Sequence, residues 1–278
     1  MRETRAAGGR RRIAALALGL ALVLGVSGCE GMEPPVLRYK QHIIKVHRGV
    51  DVNLLREENF SVDSRGRASC EKDGVRARAG VDVSYYQGAV DWEKVKADGI
   101  DFALIRLGYR GYSEGKLNLD ERFEENYTNA AAAGLEVGVY FFAQATTPVE
   151  AREEADFVLA ALNGRALQYP VVYDWETITP GKGARTEEMT GEEITACAAA
   201  FCARIKEAGY QPMVYFNTSL GYLSLDLSQV QEHPFWLAQY QQFPEFYYRF
   251  DLWQYTHEGQ VEGITGKVDL NLDLRPFY

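Results

Sequence analysis

At 278 residues, with 46% hydrophobic and 25% charged residues, the chain suits one α/β barrel or two small domains and excludes a fibrous or wholly disordered protein. A formal net charge of -9, with no dense Lys/Arg stripe beyond the N-terminus, argues against a nucleic-acid partner.

The N-terminus reads as a targeting segment. Arg2, Arg5 and Arg10-Arg11-Arg12 form a basic start, followed by an apolar run of 14 residues from Ile13 to Val26. That run is short for a spanning helix, which needs roughly 20 residues, and suits the core of an export signal. It ends in Val26-Ser27-Gly28-Cys29, which resembles the bacterial lipoprotein cleavage box. The expectation is removal of residues 1–28, lipidation of Cys29 and an extracytoplasmic protein held to the membrane by its lipid. An uncleaved anchor or an ordinary secretory signal is the alternative, and the triple Arg leaves twin-arginine export open. Removal takes away five Arg and one Glu, leaving a mature chain at -13 that electrostatics would not draw to an anionic wall.

Residues 29–79 lack a clear period. Glu33-Pro34-Pro35 reads as a tether, and Asp63-Ser64-Arg65-Gly66 as a turn in a small hairpin between Asn59 and Ala68, with no chemistry of its own. From Gly80 short apolar runs alternate with helical patterns. Strands are expected at Gly80–Ser84, Phe102–Gly108, Val137–Phe142, Val171–Glu176 and Met213–Phe216, each buried on both faces. Between them, Asp91 caps Trp92–Ala97, and Asp120 caps a helix that ends at Gly134. Thr147-Pro148-Val149-Glu150 and Thr190-Gly191-Glu192-Glu193 are capping boxes that open two further helices. After Phe216 the helices fade and strands follow at Phe235–Tyr240, Leu252–Thr256 and Val268–Leu272. This pattern is an α/β fold over residues 80–278, an irregular TIM-like barrel of five βα units followed by three strands. An open sheet stays possible at this point, because periodicity does not reveal closure. Cys70, Cys197 and Cys202 read as small buried hydrophobes, and no Cys/His spacing suggests zinc.

In a barrel, functional groups collect at the C-terminal ends of the strands. Asp174 and Glu176 close an apolar strand two residues apart, so they share a face with Cα atoms about 6.5–7 Å apart. Two acids there are costly for structure alone and suit chemistry that needs one carboxyl protonated and one charged. Asp82 lies inside the first strand and Asp269 in the last. Around them the strand ends carry Tyr109, Tyr140, Tyr215, Gln239, Tyr240, Trp253 and Gln254. Aromatic faces stack on sugar rings, and crowded acids raise one another's pKa.

Gly80-Val81-Asp82-Val83-Ser84-Tyr85-Tyr86-Gln87-Gly88, Val90-Asp91-Trp92, Tyr140-Phe141-Phe142, Tyr173-Asp174-Trp175-Glu176, Trp253-Gln254-Tyr255 and Val268-Asp269-Leu270-Asn271 resemble, in order, the motifs of family-25 glycoside hydrolases, the Chalaropsis-type lysozymes. The resemblance implies an eight-stranded barrel that hydrolyses the β-1,4 bond between N-acetylmuramic acid and N-acetylglucosamine, by a retaining route. It makes Glu176 the general acid, Asp174 its partner, and Asp82 and Asp269 the remaining active-site acids. Asp174 either orients the substrate's 2-acetamido group for attack or is itself the nucleophile, and the same-strand spacing favours the first. No cofactor and no metal is implied, although four acids offer oxygen ligands. The expected partners are peptidoglycan strands and the membrane, with the chain a monomer. A chitin-hydrolysing barrel and an inactive glycan-binding lipoprotein are the competing readings.

Overall fold

The computed structural model describes residues 36–278. The expected signal segment, Cys29 and the Glu33–Pro35 tether lie outside the described residues. The described residues begin with the hairpin β1 (Val36–Tyr39) and β2 (His42–Lys45), which the sequence pattern did not suggest. The hairpin expected around Asp63 is present as β3 (Phe60–Val62) and β4 (Ala68–Lys72), extended by β5 (Val75–Arg76) into a three-stranded meander. Its turn is held by the Asp63 carboxylate, which accepts from the Arg65 and Arg67 N–H groups.

The barrel then follows in chain order: β6 (Arg78–Val83), α1 (Trp92–Ala97), β7 (Phe102–Arg110), β8 (Leu117–Leu119), α2 (Phe123–Ala132), β9 (Glu136–Ala143), α3 (Pro148–Leu162), β10 (Val171–Trp175), α4 (Gly191–Glu207), β11 (Pro212–Asn217), α5 (Thr218–Leu223), β12 (Phe235–Ala238), β13 (Leu252–Gly259) and β14 (Val268–Asp273). Strands β6, β7, β9, β10, β11, β12, β13 and β14 pair around a ring that closes through β6 with β7, while β8 is an antiparallel flap on β7. This is a mixed α/β fold with a closed eight-stranded barrel. Pairing is parallel from β6 through β13, but β14 runs antiparallel to both neighbours. The β13–β14 hairpin needs no crossover helix, and the parallel β12–β13 connection is made without one.

Capping explains most helix starts. Asp91, Thr147 and Thr190 cap as expected, and Thr190 forms a full box with Glu193. Two expectations need correction. Asp120 is not the cap of α2, which starts at Phe123; its buried carboxylate instead accepts from Arg106 Nε at 2.7 Å. The Glu150 carboxylate turns from Thr147 to Thr146 and Arg185, so that box is only half formed. Helix persists past Phe216 as the short α5, where the Asn217 side chain caps the first turn.

Side chains alternate by strand pleat into two cores. Val81, Val83, Leu107, Phe141, Tyr173, Trp175, Phe216, Leu237 and Trp253 pack outward beneath the helices. Phe102, Leu104, Tyr169, Val172, Met213, Tyr215, Trp236 and Leu252 fill the barrel interior. At its base Phe102 and Tyr169 stack at 4.2 Å. That stack requires Gly80, because a Cβ there would lie 2.2 Å from the Phe102 ring. The meander and the segment before it join the outer core through Val46, Val50, Leu55, Ala68 and Cys70. All three cysteines within the described residues are buried and free.

Candidate active site

The pleat that sends Val172 inward sends Asp174 inward one step nearer the mouth. Strand β10 ends at Trp175, one residue short of the expected end, and Glu176 follows immediately. Strand β6 contributes Asp82 in the same way, and Asp269 on β14 is its directly paired neighbour. Asp82 is buried, and one of its oxygens accepts from Gln254 Nε2 at 2.9 Å and Asn271 Nδ2 at 2.8 Å. Asn271 is itself oriented by Trp236 Nε1 at 2.8 Å, and Gln254 by the Tyr240 hydroxyl at 2.9 Å. These neutral donors fix Asp82 without supplying a positive charge.

The four acids lie in one electrostatic cluster. Burial raises the Asp82 carboxyl well above the usual range, and the charges of Asp269 and Glu176 push it the same way against the two amide donors. Burial also raises Asp174, reinforced by Glu176 and Asp82 and partly offset by Arg106. Glu176 is raised by burial and by Asp269. Asp269 is raised to about 6, chiefly by burial, with His257 and a backbone N–H opposing. Four clustered acids with so little compensation keep protons to higher pH than free carboxylates do. One of them is therefore available as a general acid. The buried Oδ1 of Asp174 has no hydrogen-bond partner among the described residues, so it can accept from a donor on a bound substrate.

Tyr140 and Tyr215 flank Trp236 at 6.2 and 4.9 Å on the inner face, and Tyr240 stands at the rim beside His257. Tyr109 reaches the inner face through a register shift between Arg106 and Gly108, which pairs it with the inward Phe142. Its ring lies 5.4 Å from the Arg106 guanidinium.

Two expected site residues are placed elsewhere. Trp253 is fully buried on the outer face, edge-on to Phe60 at 5.3 Å, with its Nε1 on the Gln239 carbonyl. The alternation that brings Gln254 inward must turn Trp253 outward. The Gln239 side chain braces loops, donating to Thr218 and accepting from the Glu245 N–H.

The model for the glycosyl hydrolases family 25 matches residues 81–264, a span that begins beside Asp82 and includes Asp174 and Glu176. The chain belongs to this family. It is 28% identical over 237 residues to lysozyme M1 of Streptomyces globisporus, covering 82% of this chain and 77% of that one. A bacterial lysozyme structure from Streptomyces coelicolor matches with a TM-score of 0.60 at 28% identity, over 71% of this chain and 92% of that one. The modular autolysin of Streptococcus pneumoniae, solved with a synthetic peptidoglycan ligand, shares the fold with a TM-score of 0.62 at 24% identity, over 80% of this chain and 57% of that one.

This family-25 hydrolase has supporting residues that strand-end position alone did not single out. Arg106 sits beneath Tyr85, Tyr86 and Tyr109 at 5.1, 5.4 and 5.4 Å and is fixed by Asp120. Gln144, just past β9, donates to the Glu176 carbonyl at 3.0 Å while accepting from Thr186 at 2.8 Å. The Gln144 N–H binds Glu154, whose carboxylate also pairs with Arg110. Burial pushes Glu154 to about 7 despite Arg110. For Arg106 and Gln144 the one sequence signal was a polar side chain at a strand end; the contacts of these residues span 10 to 44 positions of chain.

Proposed function

We propose that this glycoside hydrolase is a lysozyme, a muramidase that cleaves peptidoglycan between N-acetylmuramic acid and N-acetylglucosamine. The carrying observation is the cluster of buried Asp82 and Asp174 with half-buried Glu176 and Asp269 at the C-terminal mouth of the barrel, with no basic side chain bonded to any of them among the described residues. In this reading Glu176 gives its proton to the glycosidic oxygen as that bond breaks. The free oxygen of Asp174 accepts the N–H of the 2-acetamido group, which makes the acetamido carbonyl oxygen a better nucleophile toward the anomeric carbon. Glu176, now a carboxylate, takes a proton from the water that opens the resulting ring, and configuration is retained. Burial and the like charge of Asp269 keep the Glu176 proton in place, while Asp82 completes the acid cluster. Placement of both working acids at the end of one strand, Asp174 on it and Glu176 just past it, supports acetamido participation over direct attack, because a nucleophile and an acid on opposite sides of the bond need separate supports. We further propose that Cys29 carries a lipid that holds the enzyme on the outer side of the membrane; the Val26–Cys29 box supports this reading.

Glu176→Gln is expected to lower peptidoglycan turnover by about 10²–10⁴ while the far-UV spectrum is retained. Mass spectrometry of fragments from purified wall should show N-acetylmuramic acid at the new reducing end. N-acetylglucosamine there, or turnover near wild type in the variant, would refute the assignment. Cys29→Ser is expected to move the enzyme out of the membrane fraction.

A further inference from the structure

Among the described residues, the outer face of the β1–β2 hairpin packs on nothing. Tyr39 turns inward, its ring tilted against Tyr222 at 5.2 Å and its hydroxyl bonding Ser219 at 2.9 Å, and Leu37 and Ile44 rest against the protein. The directly paired Arg38 and Ile43 face away, with Val36 two residues along on the same side. Ile43 is 64% exposed and Val36 65%, high values for aliphatic residues on a strand. Among the described residues Arg38 has no ion-pair partner, and Lys40 at the turn touches only the neutral Ser219 hydroxyl and the Tyr39 ring.

Charge is distributed unevenly between this segment and the rest. Val36 to Val50 holds Arg38, Lys40, Lys45 and Arg48, with His42 and His47 and no acid. Residues 51–278 hold 21 Lys and Arg against 36 Asp and Glu, a net -15. An anionic surface therefore attracts the hairpin and repels the remainder, which orients the molecule as well as binding it. Val36 lies seven residues from Cys29, a reach of at most about 25 Å when fully extended.

From this juxtaposition of two exposed aliphatic residues with a cationic segment, seven residues along the chain from the lipidation box, we propose that the outer face of the hairpin docks on the surface of an anionic lipid bilayer. Val36 and Ile43 enter the headgroup boundary while Arg38 and Lys40 meet lipid phosphates. The inference rests on the membrane-anchored reading for its setting, but the binding chemistry belongs to the hairpin. Its tip contacts the first turn of α5, which leaves the C-terminal end of β11, so docking holds the carboxylate mouth close to the bilayer.

The test uses full-length protein with Ile43→Trp, reconstituted into phosphatidylcholine vesicles with or without phosphatidylglycerol and containing brominated lipid. Trp92, Trp175, Trp236 and Trp253 are all buried, so the introduced indole dominates lipid-dependent quenching. Quenching is expected on the anionic vesicles only, and to fall as salt is raised. Adding Arg38→Glu and Lys40→Glu should shift the docked-to-free ratio by at least about 25-fold, at roughly fivefold per removed cation. Equal quenching on both vesicle types, or no effect of the two Glu substitutions, overturns the proposal. Loss of activity on soluble wall fragments in the Glu variant, with unchanged quenching, assigns the hairpin to substrate carboxylates and also overturns it. Failure of the lipid anchor would lower retention equally on both vesicle types and leave the anionic dependence of the remaining protein intact, so the two readings fail separately.

Discussion

The two ends of the barrel treat their acids in opposite ways. At the end where strands begin, burial would raise Asp98, but Arg65, the Glu262 N–H and Arg67 outweigh it and hold the carboxyl at about 2. Arg65 binds it in a two-pronged pair at 2.9 and 3.1 Å, and Arg67 clamps it from the meander. At the mouth, Asp269 rises to about 6 and Asp82 and Asp174 go higher than usual. Burial there is met by two amides on Asp82 and by only partial charge offsets from Arg106 on Asp174 and His257 on Asp269, with no guanidinium bonded to any of them among the described residues. The first arrangement ties the N-terminal meander to the barrel. The second stores an electrostatic cost that substrate and proton transfer can use.

The largest expected break in this contrast comes from Asp174→Asn. Turnover of peptidoglycan should drop by about 10²–10³, the scale for losing one preorganised electrostatic contact, and the melting temperature should hold or rise because a costly buried charge is removed. A drop in melting temperature with modest activity loss would make Asp174 a structural acid. Asp98→Asn should behave in reverse. It leaves Arg67 facing an amide and should cost about 2–3 kcal/mol of stability by denaturant titration, with activity per folded molecule unchanged.

pH separates the two ends with opposite signs. Asp269 titrates higher in the folded protein than in the unfolded chain, so the folded state binds more protons between about pH 4 and 6 and stability falls as pH rises through that window. Asp98 titrates lower when folded, so its contribution is present above about pH 4 and is lost as pH falls toward 2. Thermal melts across pH 2–7 should show both slopes, and Asp269→Asn should flatten the upper one alone. The same substitution removes a like charge from Glu176, so the alkaline limb of the pH–activity profile should move to lower pH. A limb that stays in place would separate Asp269 from the acid's titration. The smallest effect is expected for Tyr240→Phe, which deletes the hydroxyl that orients Gln254 and should cost three- to tenfold in kcat/KM.

Much of the mouth is legible in the order of residues alone. Strand period places Asp174 and Glu176 on one side, and the order of apolar runs with helix caps predicts five βα units and three closing strands. Trp253 shows the limit of strand-end reasoning. It sits one residue from the inward Gln254, and choosing between adjacent residues needs the register. Asp120 shows another limit, since an acid before a helix reads as a cap until Arg106, 14 positions away, is seen to claim it.

By itself, then, the sequence determined what local pattern can carry: the alternation of strands and helices, the acids at strand ends, the family motifs and the absence of acids from residues 36–50. Only the tertiary structure decided closure of β6 on β7, the antiparallel turn of β14 that sets Asp269 beside Asp82, and the Arg110–Glu154–Gln144 chain behind Glu176. These depend on contacts between residues far apart in the chain, whose energies arise from burial and mutual distance. No local pattern of side chains encodes either quantity.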